Sequence, residues 1–247
     1  MRHFLFLFMI LMAFPSMAMA GQSQGEPFAV VELFSSEGCS SCPSADLLIS
    51  KLTAWARQNK SPVYPLVFHV DYWNNLGWRD VFSRWEFTQR QKDYARIFKT
   101  EGVYTPEMIV NGSDAFLGSD EDHLQKTLGH ELSLSTDVTL QIRAIKQQGR
   151  LTVICQTQGF SKGDVVHVAL VERGLSTDVT AGENAGRTLH HNNVVREFRT
   201  GPLTASGAKI EIPLDRISDS SQASVIVFVQ NPTTMLIEAA QQWDVES

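Results

Sequence analysis

The chain has three cysteines, no surplus of positive charge and, past its first twenty residues, no long apolar run. Each shortage excludes something. Three cysteines allow one disulfide and leave one thiol over, which is too few for a scaffold stapled by disulfides. A formal net charge of −6 argues against nucleic acid and anionic membrane as partners. After residue 20 no stretch approaches the ~18 consecutive apolar residues of a membrane span. No internal repeat, low-complexity tract or triad nucleophile motif is present, and Cys39-Ser-Ser-Cys42 has no second Cys-x-x-Cys to complete a tetrahedral zinc site.

Residues 1–20 read as a secretory signal: a basic start at Arg2, an apolar run from Phe4 to Phe14, and Ala18-Met19-Ala20 as a small-x-small cleavage site. The mature chain then begins near Gly21. It is expected in an exported, oxidising compartment, periplasmic or secreted, with no membrane span once the signal is removed.

The cysteine pair follows an apolar strand pattern, Phe28–Phe34, and precedes a helical one, with Pro43 in its first turn and Ala45, Leu48, Leu52 and Trp55 on one face. A strand-to-helix junction favours thiolate, because free backbone N–H groups and the positive end of the helix dipole point there. The next strand pattern is Val63–Val70, making a parallel βαβ unit. An aromatic-rich stretch with Trp73, Trp78 and Trp85 leads into a helix over about Glu86–Lys99. Short strands Met108–Val110 and Ala115–Leu117 flank Asn111-Gly112, a strong hairpin turn. Ser119 and Asp122 open a last helix with a capping-box-like start. The order is β-α-β-α-β-β-α. After a short linker at 134–137, alternation dominates: Val138–Ile145, Leu151–Thr157, Val165–Glu172, Leu189–Arg199, Lys209–Ile212, Ala223–Gln230 and Met235–Gln242. Short alternating strands with turn signals between them predict an all-β sandwich.

That element order, with Cys-x-x-Cys at the first strand-to-helix junction and Thr105-Pro106 before the third strand, resembles the thioredoxin superfamily. The resemblance implies a mixed central sheet flanked by helices over 21–133, with an insertion at 72–100, followed by the sandwich over 134–247. It also implies a cis Pro106 against the cysteines, with the Thr105 backbone docking a substrate chain. The segments ELFSSEGCSSCPSAD, FHVDYWNNLGW, TQRQKDYA, VYTPEMIVNG and GENAGRTLHHNNVVR together resemble an exported bacterial family of unknown function, with a thioredoxin-like half and a β-rich half. Two departures from thioredoxins stand out. Gly38 replaces the tryptophan before the first cysteine, and Leu33 occupies the buried-acid position, with Glu32 beside it.

The chemistry expected is thiol–disulfide exchange with a protein or small-molecule thiol or disulfide partner, without cofactor or resident metal. Cys39 is the nucleophile and Cys42 the resolving thiol. Glu32, His69 and Asp71 are candidates for proton handling. The alternatives are a structural disulfide, or a non-enzymatic binding module for protein or for copper, the latter with His69 as third ligand. Cys155 alternates with Leu151 and Val153 and reads as a buried, inert thiol. His190 and His191, if extended, face opposite ways and cannot chelate together. The Gly182–Arg187 loop is either an interdomain or ligand loop or an ordinary turn.

Overall fold

The computed structural model describes residues 25–246; the signal segment at 1–20 lies outside the described residues. The first half contains strand β1 (Ala29–Ser35), helix α1 (Cys42–Asn59), strand β2 (Val63–His69), helix α2 (Trp85–Phe98), strands β3 (Glu107–Val110) and β4 (Asp114–Leu117), and helix α3 (Glu121–Glu131). Strands follow: β5 (Thr139–Gln147), β6 (Arg150–Gln158), β7 (Val165–Glu172), β8 (Leu175–Val179), β9 (Arg187–His191), β10 (Val194–Pro202), β11 (Ala208–Pro213), β12 (Ala223–Gln230) and β13 (Ile237–Asp244). Among the described residues no helix is long and apolar enough to cross a membrane.

Eight strands from both halves form one mixed sheet in the order β13-β12-β7-β10-β2-β1-β3-β4. β1 runs parallel to β2 and antiparallel to β3. Every residue of β1 is buried, as expected of a central strand covered on both faces. Alternation sorts its side chains. Val30, Glu32 and Phe34 face α2, where Phe34 and Phe68 stack and Tyr94 packs edge-on. Ala29, Val31 and Leu33 face α1 and α3, against Ala45, Ile49 and Leu124. Full burial of each large apolar side chain stabilises the fold by about 1.5–3 kcal/mol.

The expectation of a self-contained sandwich over 134–247 is corrected. A three-stranded sheet, β11-β6-β5, does pack face to face on β7 and β12 through Val153, Ile212, Val168 and Val227. The opposing layer, however, is the shared sheet itself. Strand β10 joins β2 in parallel through Val194 and Val67, with the Val67 N–H donating to Asn193 O at 2.9 Å. The halves are therefore joined by a hydrogen-bonded seam. The short linker at 134–137 is tied down at both sides. The Gly25 N–H donates to Thr136 O at 2.8 Å, and the Thr136 hydroxyl donates to Glu238 O at 2.6 Å.

Three local differences have plain causes. The pattern Leu189–Arg199 is two strands, because Asn193 takes a left-handed φ of 52° and turns the chain between β9 and β10. A strand absent from the sequence reading, β8, pairs with β9 as a separate hairpin carrying residues 180–186 at its tip. Helix α3 is capped by Asp120 rather than Ser119, its Oδ1 accepting from the His123 N–H at 3.0 Å. The hairpin turn at Asn111-Gly112 has positive φ at both residues, 47° and 69°. A Cβ at Gly112 would also lie 1.9 Å from Met235 O, so the segment leading into β13 rests on this turn.

Candidate functional site

Helix α1 begins at Cys42, with Pro43 in its first turn where a missing N–H costs least. The tight turn before it brings the two cysteine Cα atoms to 5.4 Å, and Cys39 and Cys42 form a disulfide. The Thr105–Pro106 peptide is cis, and the Thr105 carbonyl oxygen lies 3.8 Å from Cys39 Sγ. The Ser41 hydroxyl stands 3.3 Å from the same sulfur, where it is the donor while the disulfide is closed. These contacts bring Cys39, Cys42, Thr105 and Pro106 together.

The pair is also covered. Both cysteines have no exposed surface. Part of the cover comes from the 72–100 segment: a Cβ at Gly38 would lie 3.0 Å from Trp73 Cβ, and Trp73 Nε1 donates to the Thr105 hydroxyl at 2.8 Å. This accounts for glycine before Cys39, since Trp73 holds the space. The rest comes from the β8–β9 tip. Asn184 Nδ2 donates to Glu37 O at 2.8 Å and to Cys39 O at 3.0 Å, and Glu183 accepts the Ser40 N–H at 3.0 Å. Gly182, with φ +73°, packs against Trp78. The loop at 182–187 is thus a cover on the cysteine turn. Of the remaining insertion tryptophans, Trp78 donates to Glu37 Oε2 at 2.8 Å, whereas Trp85 is mostly exposed.

Beneath the turn, on the α1 side of the sheet, lies a buried cluster of Glu37, Asp46, His69, Asp80 and His191. Register explains it. Ser35 and His69 are partners across β1 and β2, both face α1, and the Ser35 hydroxyl donates to Asp46 Oδ1 at 2.8 Å. His69 Nδ1 sits 2.6 Å from Asp80 Oδ2. His191 lies between two acids, Nε2 3.4 Å from Glu37 Oε1 and Nδ1 3.7 Å from Asp46 Oδ2, and its ring is 5.0 Å from that of His69. Neither nitrogen of His191 makes a hydrogen bond, and Glu37 Oε1 and His69 Nε2 also have none. Such orphans are uncommon in a protein interior.

Charge is distributed unevenly here. Burial pushes the Asp46 carboxyl up, partly offset by His191 and His69. Burial opposes a charged His69, but Asp80 outweighs it and the imidazole pKa is raised. Burial likewise opposes an ionised Asp80, yet His69 and the Glu37 and Phe82 N–H groups hold its carboxyl below the ordinary range.

The other sequence candidates lie elsewhere. Glu32 faces α2, where Arg90 binds it through two nitrogens at 2.5 and 2.8 Å and the Tyr94 hydroxyl donates at 2.5 Å. Alternation along β1 turns it away from α1, so the acid beside Leu33 serves Arg90 rather than Cys42. Asp71 lies past the end of β2 and accepts from the Thr88 hydroxyl of α2. Cys155 is buried in the sheet-to-sheet core, and burial pushes its thiol up to about 11. His190 is exposed and His191 buried, in keeping with opposite faces. Among the described residues no three His, Cys, Asp or Glu side chains are placed to hold a metal ion.

Sequence reasoning missed Glu37, Asp46 and Asp80; it weighed His191 only as a metal ligand and named Asn184 only as part of the 182–187 loop. Two of them carried a local signal: Glu37 precedes Cys39 by two residues, and Asp46 follows Cys42 by one helical turn.

A family model described as a protein of unknown function, DUF1223, matches residues 30–230. The chain belongs to this family. The match runs from β1 to the end of β12 and so spans this chain's seam and its β8–β9 hairpin. Among solved structures, the chain is similar to the crystal structure of protein AGR_C_4864 from Agrobacterium tumefaciens. The two are 28% identical over 89% of this chain and 95% of that one, with a TM-score of 0.65. No curated protein matches the chain.

Proposed function

We propose that this DUF1223 protein is an exported thiol–disulfide oxidoreductase whose first half is a thioredoxin-like unit. The observation that carries the reading is the Cys39–Cys42 disulfide at the N-terminus of α1, with the Thr105 carbonyl beside Cys39 and cis Pro106 next to it. The order β2-β1-β3-β4, with β1 and β2 parallel and β3 reversed, supports the thioredoxin-like assignment. Cys39 exchanges with the partner and Cys42 closes the internal disulfide. Ser41 and the helix terminus stabilise charge on sulfur, and the Thr105 carbonyl oxygen accepts from Cys39 when it carries a proton. The Thr105–Pro106 segment docks a protein or small thiol or disulfide partner. No cofactor is needed, since both electrons reside in the sulfur pair.

Redox titration of the full chain, read by alkylation and mass spectrometry, tests this. The pair is expected to titrate between about −120 and −300 mV. A couple that stays oxidised throughout that range would overturn the proposal. A Cys42→Ala variant is expected to hold partners as mixed disulfides on Cys39.

The complete burial of both cysteines favours a second reading, a permanent structural disulfide on a binding scaffold. The same titration separates the two.

A further inference from the structure

The exchange reading leaves the cluster under the cysteine turn without a task. Closing or opening a disulfide moves protons as well as electrons, and at a buried site a thiolate left uncompensated is costly. Some group near Cys42 must hold a proton.

The geometry points to Asp46 as the group that gives a proton to Cys42 when the disulfide opens and takes it back when it closes, with His191 positioning its carboxylate. This inference rests on the exchange reading. Asp46 lies one helical turn beyond Cys42, and residues four apart share a helix face. Both side chains point into the protein, with Cys42 fully buried and Asp46 only 5% exposed. Ser35 on β1 fixes one carboxylate oxygen at 2.8 Å, and His191 from the second half stands 3.7 Å from the other. The neighbouring acids are committed or remote. Asp80 holds His69, Glu32 holds Arg90 on the opposite face of the sheet, and Glu37 accepts from Trp78 through one oxygen while the other faces His191 Nε2 at 3.4 Å.

The charged and titratable groups around Asp46 are His191 on β9, His69 on β2, Asp80 in the segment before α2 and Glu37 before α1. Three carboxyl groups share this dry site with two imidazoles, and burial raises the Asp46 carboxyl, which favours its holding a proton.

The step balances with a dithiol partner. A partner thiolate attacks Cys39 Sγ. The Cys39–Cys42 bond breaks, a bond from Cys39 to the partner sulfur forms, and the electron pair remains on Cys42. The Asp46 carboxylic acid protonates that thiolate and becomes a carboxylate. The partner's second thiol returns a proton to Asp46. Its sulfur attacks the partner sulfur bound to Cys39, and Cys39 leaves as a thiolate beside the Ser41 hydroxyl. The partner is oxidised to its disulfide, and Cys39–Cys42 is reduced by two electrons.

The test uses the full chain and dithiothreitol as the dithiol. Reduction rates are measured from pH 5 to 9 for wild type, Asp46→Asn and Asp46→Glu, with circular dichroism and melting as checks of folding. Asp46→Asn is expected to slow reduction by about 10²-fold, in the range of a lost general acid, and to flatten the acid-dependent limb of the profile. Asp46→Glu is expected to restore the limb with a displaced midpoint. Infrared spectra of the oxidised protein should show a buried carboxylic acid band in wild type that Asp46→Asn lacks. Equal rates, equal pH profiles and identical carboxylic acid bands in wild type and Asp46→Asn would overturn the inference while leaving the exchange reading intact. A wild-type disulfide that dithiothreitol never opens overturns the exchange reading, and this inference with it.

Discussion

Two charged clusters lie on opposite faces of the same sheet, and they are built to different standards. On the α2 side, Glu32, Arg90, Tyr94 and Gln230 form a closed set. Arg90 reaches Glu32, Gln230 and Tyr94, and the rings of Phe68, Tyr94, Phe198 and Phe228 all lie within 5.6 Å of its guanidinium carbon. On the α1 side, Glu37, Asp46, His69, Asp80 and His191 keep four nitrogen or oxygen atoms without a hydrogen bond. Burial is nearly the same in both; satisfaction is not. The closed set ties β1 and α2 to β12 and belongs to stability. The open set lies beneath the Cys39–Cys42 disulfide, and unmet hydrogen-bonding capacity there is consistent with groups whose protonation changes.

The comparison can be broken most forcefully at Arg90. Arg90→Met strands the Glu32 charge in the interior and is expected to cost about 3–5 kcal/mol in urea unfolding. Adding Glu32→Leu should recover most of that loss, because an apolar replacement of a whole buried pair is close to neutral. The reduction kinetics of the folded fraction should not change. If they do, the two faces are coupled and the division of labour fails.

Asn184→Ala sharpens the open side. It strips partners from the Glu37 and Cys39 carbonyls and should cost about 1–3 kcal/mol. Loosening the cover should also speed reduction by dithiothreitol, by roughly tenfold if opening limits access, where 1.4 kcal/mol is a tenfold change. A slower reaction would mean that Asn184 orients the disulfide rather than hides it.

The next test is pH. The folded pKa of His69 is raised above the ordinary 6.5, so its stabilising share is fully present below 6.5 and is lost as pH rises through the raised value. That of Asp80 is lowered below 3.8, so its share is present above 3.8 and is lost as pH falls through the depressed value. The two describe one interaction, which should be strongest between those ordinary values. Asp80→Asn should therefore lower the melting temperature most in that window, with a smaller difference well above it.

The smallest effect belongs to Glu238, a half-buried acid beside the buried Asp164. Burial and the neighbouring Asp164 push Glu238 up to about 7. A raised carboxyl stabilises while protonated, so stability should decline gently as pH rises from the ordinary 4.5 towards 7. Glu238→Gln should remove that slope in melting curves. An unchanged slope would place the pH dependence elsewhere, in the cysteine-side cluster.

Local pattern carried the first half well. The strand read at Phe28–Phe34 is Ala29–Ser35, and the helix read from Pro43 starts at Cys42, because helical and strand periodicity, proline and glycine act over a few residues. The seam was not legible. It rests on Val194 facing Val67 and on Asn193 reaching Pro65 O, a contact between segments more than a hundred residues apart with no repeating pattern. Without the seam, alternating strands read naturally as a second body. The candidate site divided the same way. Spacing exposed Cys39 and Cys42, but the cluster gathers residues from the cysteine turn, α1, β2, the segment before α2 and β9. Only the register of Ser35 with His69 and the turn from Cys42 to Asp46 could have hinted at it.

The cover on the cysteine turn also sets an order of events during synthesis. Cys39 and Cys42 emerge from the ribosome some 145 residues before Asn184, which later screens them. Until the β8–β9 hairpin and Asn193 dock, the βαβ unit has an open β2 edge and an uncovered cysteine turn. An oxidant that acts before the hairpin docks would meet bare thiols, whereas a reductant that acts afterwards meets the covered turn.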